Sequence, residues 1–362
     1  MHKKGGLNFI HLLLLSLSLS IAFNSSRIAR RPQLLVMSSV FNAAEIEGVA
    51  RSIERLVGAT GGVNIEGIKN VIGESAHTSH KDWKLTEIDA ESFRSQFCDE
   101  AFEKTFRRVF EEGNYSEALR RKQSLKPWVV LVTGVNGIRK TTALHQPWFG
   151  KVLGGELGLP AWEVPTGSNS FYRQLDHIIA SLTNVQFQEL YEKKLSVSEY
   201  SEEKARIFSR YRKLSEMAGV SLLEKGKADG VNVLVETSGR DVSMFEYIEH
   251  FFPPTSGYKK LAIHFTIDDL KFAERSVDAR MAREMCCGLE AMNKPDFSPN
   301  DVVNVNLGGP YGSSFLKQVH ADSERVWTEV QHRRGWQFAT IDILGSDDNT
   351  KWICKSNFFV RE

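Results

Sequence analysis

From residue 41 onward the chain moves between two hydrophobic periods. Over 41–57, Ala, Ile, Val and Leu recur at helical spacing among Glu and Arg, and Gly58 to Gly62 end the pattern. Residues 63–85 are mixed and carry His77, His80 and Trp83 in a scatter that fits a polar surface better than a metal site. From Asp89, the positions Phe93, Phe97, Phe102, Phe106 and Phe110 fall at helical spacing with charged residues between them. They predict one long helix with its aromatic stripe toward a core. Gly113 and Asn114 break it, and a second helix is predicted over 116–123.

At Pro127 the period changes. Residues 128–133 (WVVLVT) form a short continuous apolar run ending in glycine, as a strand buried on both faces does. Similar runs recur at 231–235, 261–267 and 337–343, each after a helical stretch. Strands alternating with helices predict an α/β fold, a parallel sheet flanked by helices, preceded by a helical N-terminal region. Residues 302–306 read as a further strand, followed by a turn at Gly308–Gly309 and the start of a helix carrying His320, Asp322 and Trp327. That turn is either structural or a substrate loop at the sheet's C-terminal edge.

The first 44 residues differ from the rest. They carry Lys3, Lys4, Arg27, Arg30 and Arg31 and no acidic residue. Lys3 and Lys4 precede an apolar run from Leu7 to Phe23, the layout of a secretory signal and shorter than the ~20 residues of a membrane span. The following stretch to Pro32 is Ser- and Arg-bearing and acid-free, as transit peptides are. Ser20-Ile21-Ala22-Phe23 resembles the junction of bipartite plastid leaders in algae with complex plastids. That resemblance implies a plastid location, with secretion as the competing reading. Three segments are expected: a cleaved leader over 1–44, a helical region over 45–126 and an α/β domain over 127–362.

Composition narrows the function classes. The whole chain has 46 Lys+Arg against 45 Asp+Glu; without the five basic residues of the leader the balance is 41 against 45. A mildly acidic body argues against a nucleic-acid partner, and no membrane association is expected once the leader is gone. The four Cys include no CxxC pair, which leaves no sign of a disulfide framework or structural zinc. Cys286 and Cys287 are expected as buried small hydrophobes on a helix.

The chemistry sits where the first strand ends. Gly134, Val135, Asn136, Gly137, Ile138, Arg139, Lys140, Thr141 and Thr142 resemble the Walker A phosphate loop, GxxxxGK[ST]. Such a loop aims successive backbone N–H groups and a helix N-terminus at phosphates. Lys140 would reach the outer phosphates and the Thr141 hydroxyl would join a magnesium shell. Arg139 departs from the pattern, which has glycine at that position.

The second strand ends in Glu236-Thr237-Ser238-Gly239-Arg240-Asp241, followed by a helix over 242–252 and, after the next strand, a helix bearing Arg275, Arg280 and Arg283. This order of loop, Glu, Ser two on, Arg two further and later arginines resembles the zeta-toxin family of P-loop kinases, over residues 128 to about 285. The resemblance implies a phosphotransferase using ATP or GTP and Mg2+ on an unidentified small-molecule acceptor hydroxyl. It assigns the metal to Thr141 and Glu236, acceptor positioning to Ser238 or Arg240, and the moving phosphoryl charge to Arg275 and Arg280. The alternative for Arg275, Arg280 and Arg283 is a solvated face paired with Glu274, Asp278 and Glu284. The family's acidic general base aligns with Asn169 in Ser168–Arg173, an amide that takes no proton; Asp176 could substitute from the inner face of its helix. Two other readings stand beside it: a nucleotide-binding protein without transfer activity, and an NTPase like the signal-recognition-particle GTPases. The latter share the GxxG…KTT loop and a D-T-A-G-R segment similar to Glu236–Arg240, but no guanine-reading TKxD segment follows here.

Overall fold

Asn42 opens helix α1 (Ala43–Val57) with a capping box: its side chain accepts from Glu45 N, and the Glu45 carboxylate accepts from Asn42 N. The computed structural model describes residues 40–343 and 356–359, apart from 77, 122–125 and 307. The expected leader and His77 therefore lie outside the described residues. Helices α2 (Ile65–Ser75), α3 (Trp83–Arg94), α4 (Asp99–Thr105), α5 (Arg107–Glu112) and α6 (Tyr115–Arg120) follow.

The aromatic stripe is core, as its spacing predicts. Phe93, Phe97, Phe102 and Phe106 are buried, and successive rings lie 5.0 to 5.7 Å apart. The single long helix is instead three. The chain leaves the helix after Arg94 because Gln96 and Cys98 pair with an extended segment: Cys98 N donates to Gly62 O at 2.7 Å and Asn64 N to Gln96 O at 2.8 Å. It breaks again at Phe106, whose φ of −108° is not helical.

The α/β part runs β1 (Trp128–Thr133), α7 (Lys140–Leu144), α8 (Pro147–Leu157), β2 (Ser170–Arg173), α9 (Leu175–Leu182), α10 (Asn184–Tyr191), α11 (Val197–Arg210), α12 (Arg212–Ala228) and β3 (Asn232–Glu236). It continues with α13 (Ser243–Phe251), β4 (Lys259–Ile267), α14 (Leu270–Met292), α15 (Pro299–Val305), α16 (Ser313–Val330), β5 (Gln337–Ile343) and β6 (Ser356–Phe359). Among the described residues the strand order is β2-β3-β1-β4-β5-β6, parallel throughout except for antiparallel β6. This is the α/β fold, a parallel sheet flanked by helices and preceded by a helical region, that the sequence predicts.

Four of the strands match the apolar runs, and the remaining differences have local causes. β2 has four residues, two of them Ser and Arg, too few to carry a period. The expected strand over 302–306 is helix α15 instead. Pro299 stands in its first turn and Ser298 and Asp301 form a capping box, which together outweigh the β-branched residues that follow. Cys286 is exposed and Cys287 half-buried, so neither is the buried hydrophobe expected.

Side chains of β1 alternate between two cores, as a period of two requires. Val129 and Leu131 pack with Phe93, Phe102 and Phe106, so the N-terminal helices share a core with the sheet. Val130 and Val132 pack on the other face with Leu144, Phe149 and Val277. The strand order puts β1 at a reversal: the chain leaves β1 toward β2 on one side and leaves β4 toward β5 on the other. In α/β sheets such a reversal is where a ligand crevice lies, outside the C-terminal ends of the strands.

Candidate functional site

The phosphate loop connects β1 to α7 at this crevice. Gly137 has φ of +88°, and a Cβ there would lie 2.5 Å from Ala273 O and 2.8 Å from Val277 Cγ1. Only glycine allows the loop to lie this close against α14. Arg139 has φ of 61° and ψ of 37°, the left-handed conformation that glycine adopts without cost. That backbone need explains why the pattern has glycine here. The guanidinium stands over the Phe272 ring, 5.4 Å from its centroid, so Arg139 packs along α14.

Lys140 is 3% exposed, and a buried ammonium needs acceptors. Its Nζ donates to Gly134 O at 2.7 Å and Val135 O at 3.1 Å, and lies 3.3 Å from Glu236 Oε1. Glu236 arrives from the end of β3 because β3 pairs directly with β1, Val132 opposite Glu236. Thr141 Oγ1 donates to Glu236 Oε2 at 3.0 Å and stands 3.3 Å from Tyr172 OH. Lys140, Thr141 and Glu236, separated in sequence, are one hydrogen-bonded group. Tyr172 belongs to it too and escaped the sequence reading, because β2 did.

Asp176 reaches the same crevice from the first turn of α9. A Cβ on Gly309 would lie 3.0 Å from Asn136 Nδ2 and 3.8 Å from Asp176 Oδ1. A Cβ on Gly308 would lie 2.8 Å from Arg280 Nη1 and 3.5 Å from Asp176 Oδ2. Asn136, Asp176 and Arg280 thus converge on two glycines, and Arg280 Nη2 donates to Gly309 O at 2.9 Å. Burial pushes the Asp176 carboxyl above the usual carboxylate range, while Lys204 and Arg280 pull against that rise. The glycine turn thus meets the loop at Asn136 and lies beside Asp176 and Arg280.

Asn169 does not belong here. It precedes β2, and Ser170 pairs with Asn232 at the start of β3, so it stands at the opposite end of the strands from Glu236. Its side chain instead closes a loop, accepting from Thr166 N and donating to Val164 O, both at 2.8 Å. The alignment that put an amide in the base position therefore points at the wrong end of the strand.

Three arginines divide. Arg280 lies on the face of α14 shared with Ala273 and Val277, toward the phosphate loop. Arg275 is largely exposed, with Nη2 3.9 Å from Asp269 Oδ2, and Arg283 is exposed. The structure does not bring them to the crevice. Glu284, read from the sequence as a surface partner for these arginines, is fully buried against Lys204. Arg240 is exposed and lies over Tyr311, 4.9 Å from the ring centroid. Ser238 is half-buried in the same loop.

The donor chemistry suits a nucleotide and a hard cation. A lysine held by loop carbonyls is poised to exchange them for phosphate oxygens, and a Thr hydroxyl beside a carboxylate offers oxygen ligands of the kind Mg2+ takes. Among the described residues no group of three or more His, Cys, Asp or Glu could hold a metal alone, and no helix is long and apolar enough to cross a membrane. No protein-family model and no curated protein matches the chain. Among solved structures it is similar to a chain of the PezAT chromosomal toxin–antitoxin system of Streptococcus pneumoniae, at 15% identity and a TM-score of 0.38, covering 72% of this chain and 82% of that one.

Proposed function

We propose that the chain is a phosphotransferase that moves the terminal phosphoryl group of ATP or GTP to the hydroxyl of a small-molecule acceptor. The observation that carries this reading is the hydrogen-bonded group of Lys140, Thr141 and Glu236 at the end of β1, with Asp176 and Arg280 beside the Gly308–Gly309 turn that meets the same loop at Asn136. Loop N–H groups and Lys140 bind the phosphates. Mg2+, held by Thr141 and Glu236, would offset phosphate charge. Asp176, with its raised affinity for a proton, takes the acceptor's proton as the acceptor oxygen bonds to phosphorus and the nucleoside diphosphate leaves. Arg280 offsets charge on the moving group. The roles carried over for Arg240 and Ser238 at the acceptor, and for Arg275, rest on the family resemblance alone. The plastid location and the three-segment division are proposed on the leader's composition and the change of period at Pro127.

The test is Mg2+-dependent ATP turnover, with Asp176→Asn as the comparison. Turnover in the wild type that falls about 10²-fold or more in the variant supports the reading. Tight nucleotide binding with no turnover favours the second reading, a nucleotide-responsive binding protein. The strained Arg139 backbone at the glycine position supports that alternative.

A further inference from the structure

Lys204 and Glu284 are both fully buried, one on α11 and the other on α14, inside an apolar cluster. Both Glu284 oxygens accept from Lys204 Nζ, at 2.7 and 2.9 Å, and Oε1 also accepts from Tyr200 OH at 2.6 Å. The pair carries full satisfaction for the carboxylate. The lysine reaches further: Nζ also donates to Gly308 O at 2.6 Å and Asn306 Oδ1 at 3.2 Å. Asn306 in turn accepts from Gly308 N at 3.2 Å and donates to Asp176 O at 3.4 Å.

Those outward bonds end on Gly308 and Asn306, at the start of the turn around which Asn136, Asp176 and Arg280 converge. Gly308 has φ of +139°, which a side-chain-bearing residue rarely adopts, so the turn depends on glycine at this position. As a stability device, a buried ion pair is a poor choice. Apolar replacements of both partners are often neutral or stabilising. What an apolar pair could not supply is a donor for Gly308 O and Asn306.

We propose that Lys204 is a positioning residue: it fixes the Gly308–Gly309 turn and thereby the placement of Asp176 and Arg280 over the phosphate loop. The proposal rests on the phosphotransferase reading of that site. Burial lowers the lysine's proton affinity while Glu284 opposes that, so the charge that binds the turn depends on its partner.

The experiment compares the full chain with the double variant Lys204→Met, Glu284→Gln, which leaves no unpaired buried charge. Three quantities are read: amide hydrogen exchange over 306–312 without nucleotide, MgATP affinity by calorimetry, and MgATP turnover. Lys213→Met, which removes a buried lysine bonded to Thr86 and Asp89 away from the crevice, controls for stability loss. The expected result is exchange in the turn at least tenfold faster, MgATP affinity within about threefold of wild type, and turnover lower by about 10²-fold, at a melting temperature no lower than that of Lys213→Met. Unchanged exchange together with wild-type turnover overturns the proposal, as does equal turnover loss in Lys213→Met. Failure of the phosphotransferase reading is recognised separately, because the wild type itself then neither binds nor turns over MgATP. In that case only faster exchange confined to the turn sustains the positioning role; unchanged exchange ends it.

Discussion

Thr141 donates its hydroxyl proton to Glu236 across 3.0 Å, joining the helix that follows the phosphate loop to the end of β3. The same carboxylate lies 3.3 Å from Lys140 Nζ. One acidic group therefore holds both the loop lysine and the hydroxyl proposed to bind the metal. Glu236→Gln keeps the shape and weakens the proposed metal site. The expected outcome is MgATP turnover lower by about 10² to 10³-fold, with a raised Mg2+ requirement and nucleotide binding retained. A magnesium titration of turnover checks it; an unchanged midpoint contradicts the assignment.

Arg139 adopts a backbone that costs a non-glycine residue about 1–2 kcal/mol. Arg139→Gly removes that strain and also the contact with Phe272, which is worth about 0.5–1 kcal/mol. The net expectation is a stability equal to wild type or higher by up to about 1 kcal/mol, read by chemical denaturation. Because the side chain packs along α14, nucleotide affinity should change by less than about tenfold. A large affinity loss would place the guanidinium among the phosphates instead.

Gly309→Ala inserts a methyl group 3.0 Å from Asn136 Nδ2. The Asn136 side chain must then give by a few tenths of an ångström. Turnover should fall severalfold, short of the ~10²-fold that a misplacement of about 1 Å costs, with a melting temperature near wild type. A variant as active as wild type would mean that the turn does not set the geometry of transfer.

Two buried groups make stability depend on pH in separate windows. Burial pushes His177 down to about 4 from an ordinary 6.5, so the folded chain refuses a proton that the unfolded chain accepts. Its contribution is present above pH 6.5 and is lost as pH falls toward 4. Glu216 would be raised by burial, but Arg212 and Arg173 outweigh that and hold it at about 2 against an ordinary 4.5. Its contribution is lost between about 4.5 and 2. His177→Leu should flatten the upper window and leave the lower one, as measured by melting temperature against pH. A melting profile unaltered between pH 6.5 and 4 would contradict the burial argument.

The sequence carried the centre of this molecule more clearly than its rim. The apolar run 128–133 and the residues after it specify strand, loop and helix locally, and the structure has them there. Asp176 reads only as a substitute base, because its placement depends on where β2 ends, and β2 is too short to announce itself. Lys204 lies in a charged stretch, Glu202 to Arg206, that reads as the solvated face of a helix. Glu284 reads the same way among arginines. Their burial comes from the packing of α11 against α14, a tertiary fact that no local period contains.

The central claim is that this loop binds a nucleotide through Lys140, and calorimetric titration of MgATP into wild type and Lys140→Ala tests it most directly. The account predicts saturable binding to the wild type, with affinity lower by about 10²-fold or more in the variant and an unaltered circular dichroism spectrum. Equal affinity in the two proteins, or no binding to the wild type by either ATP or GTP, would contradict it.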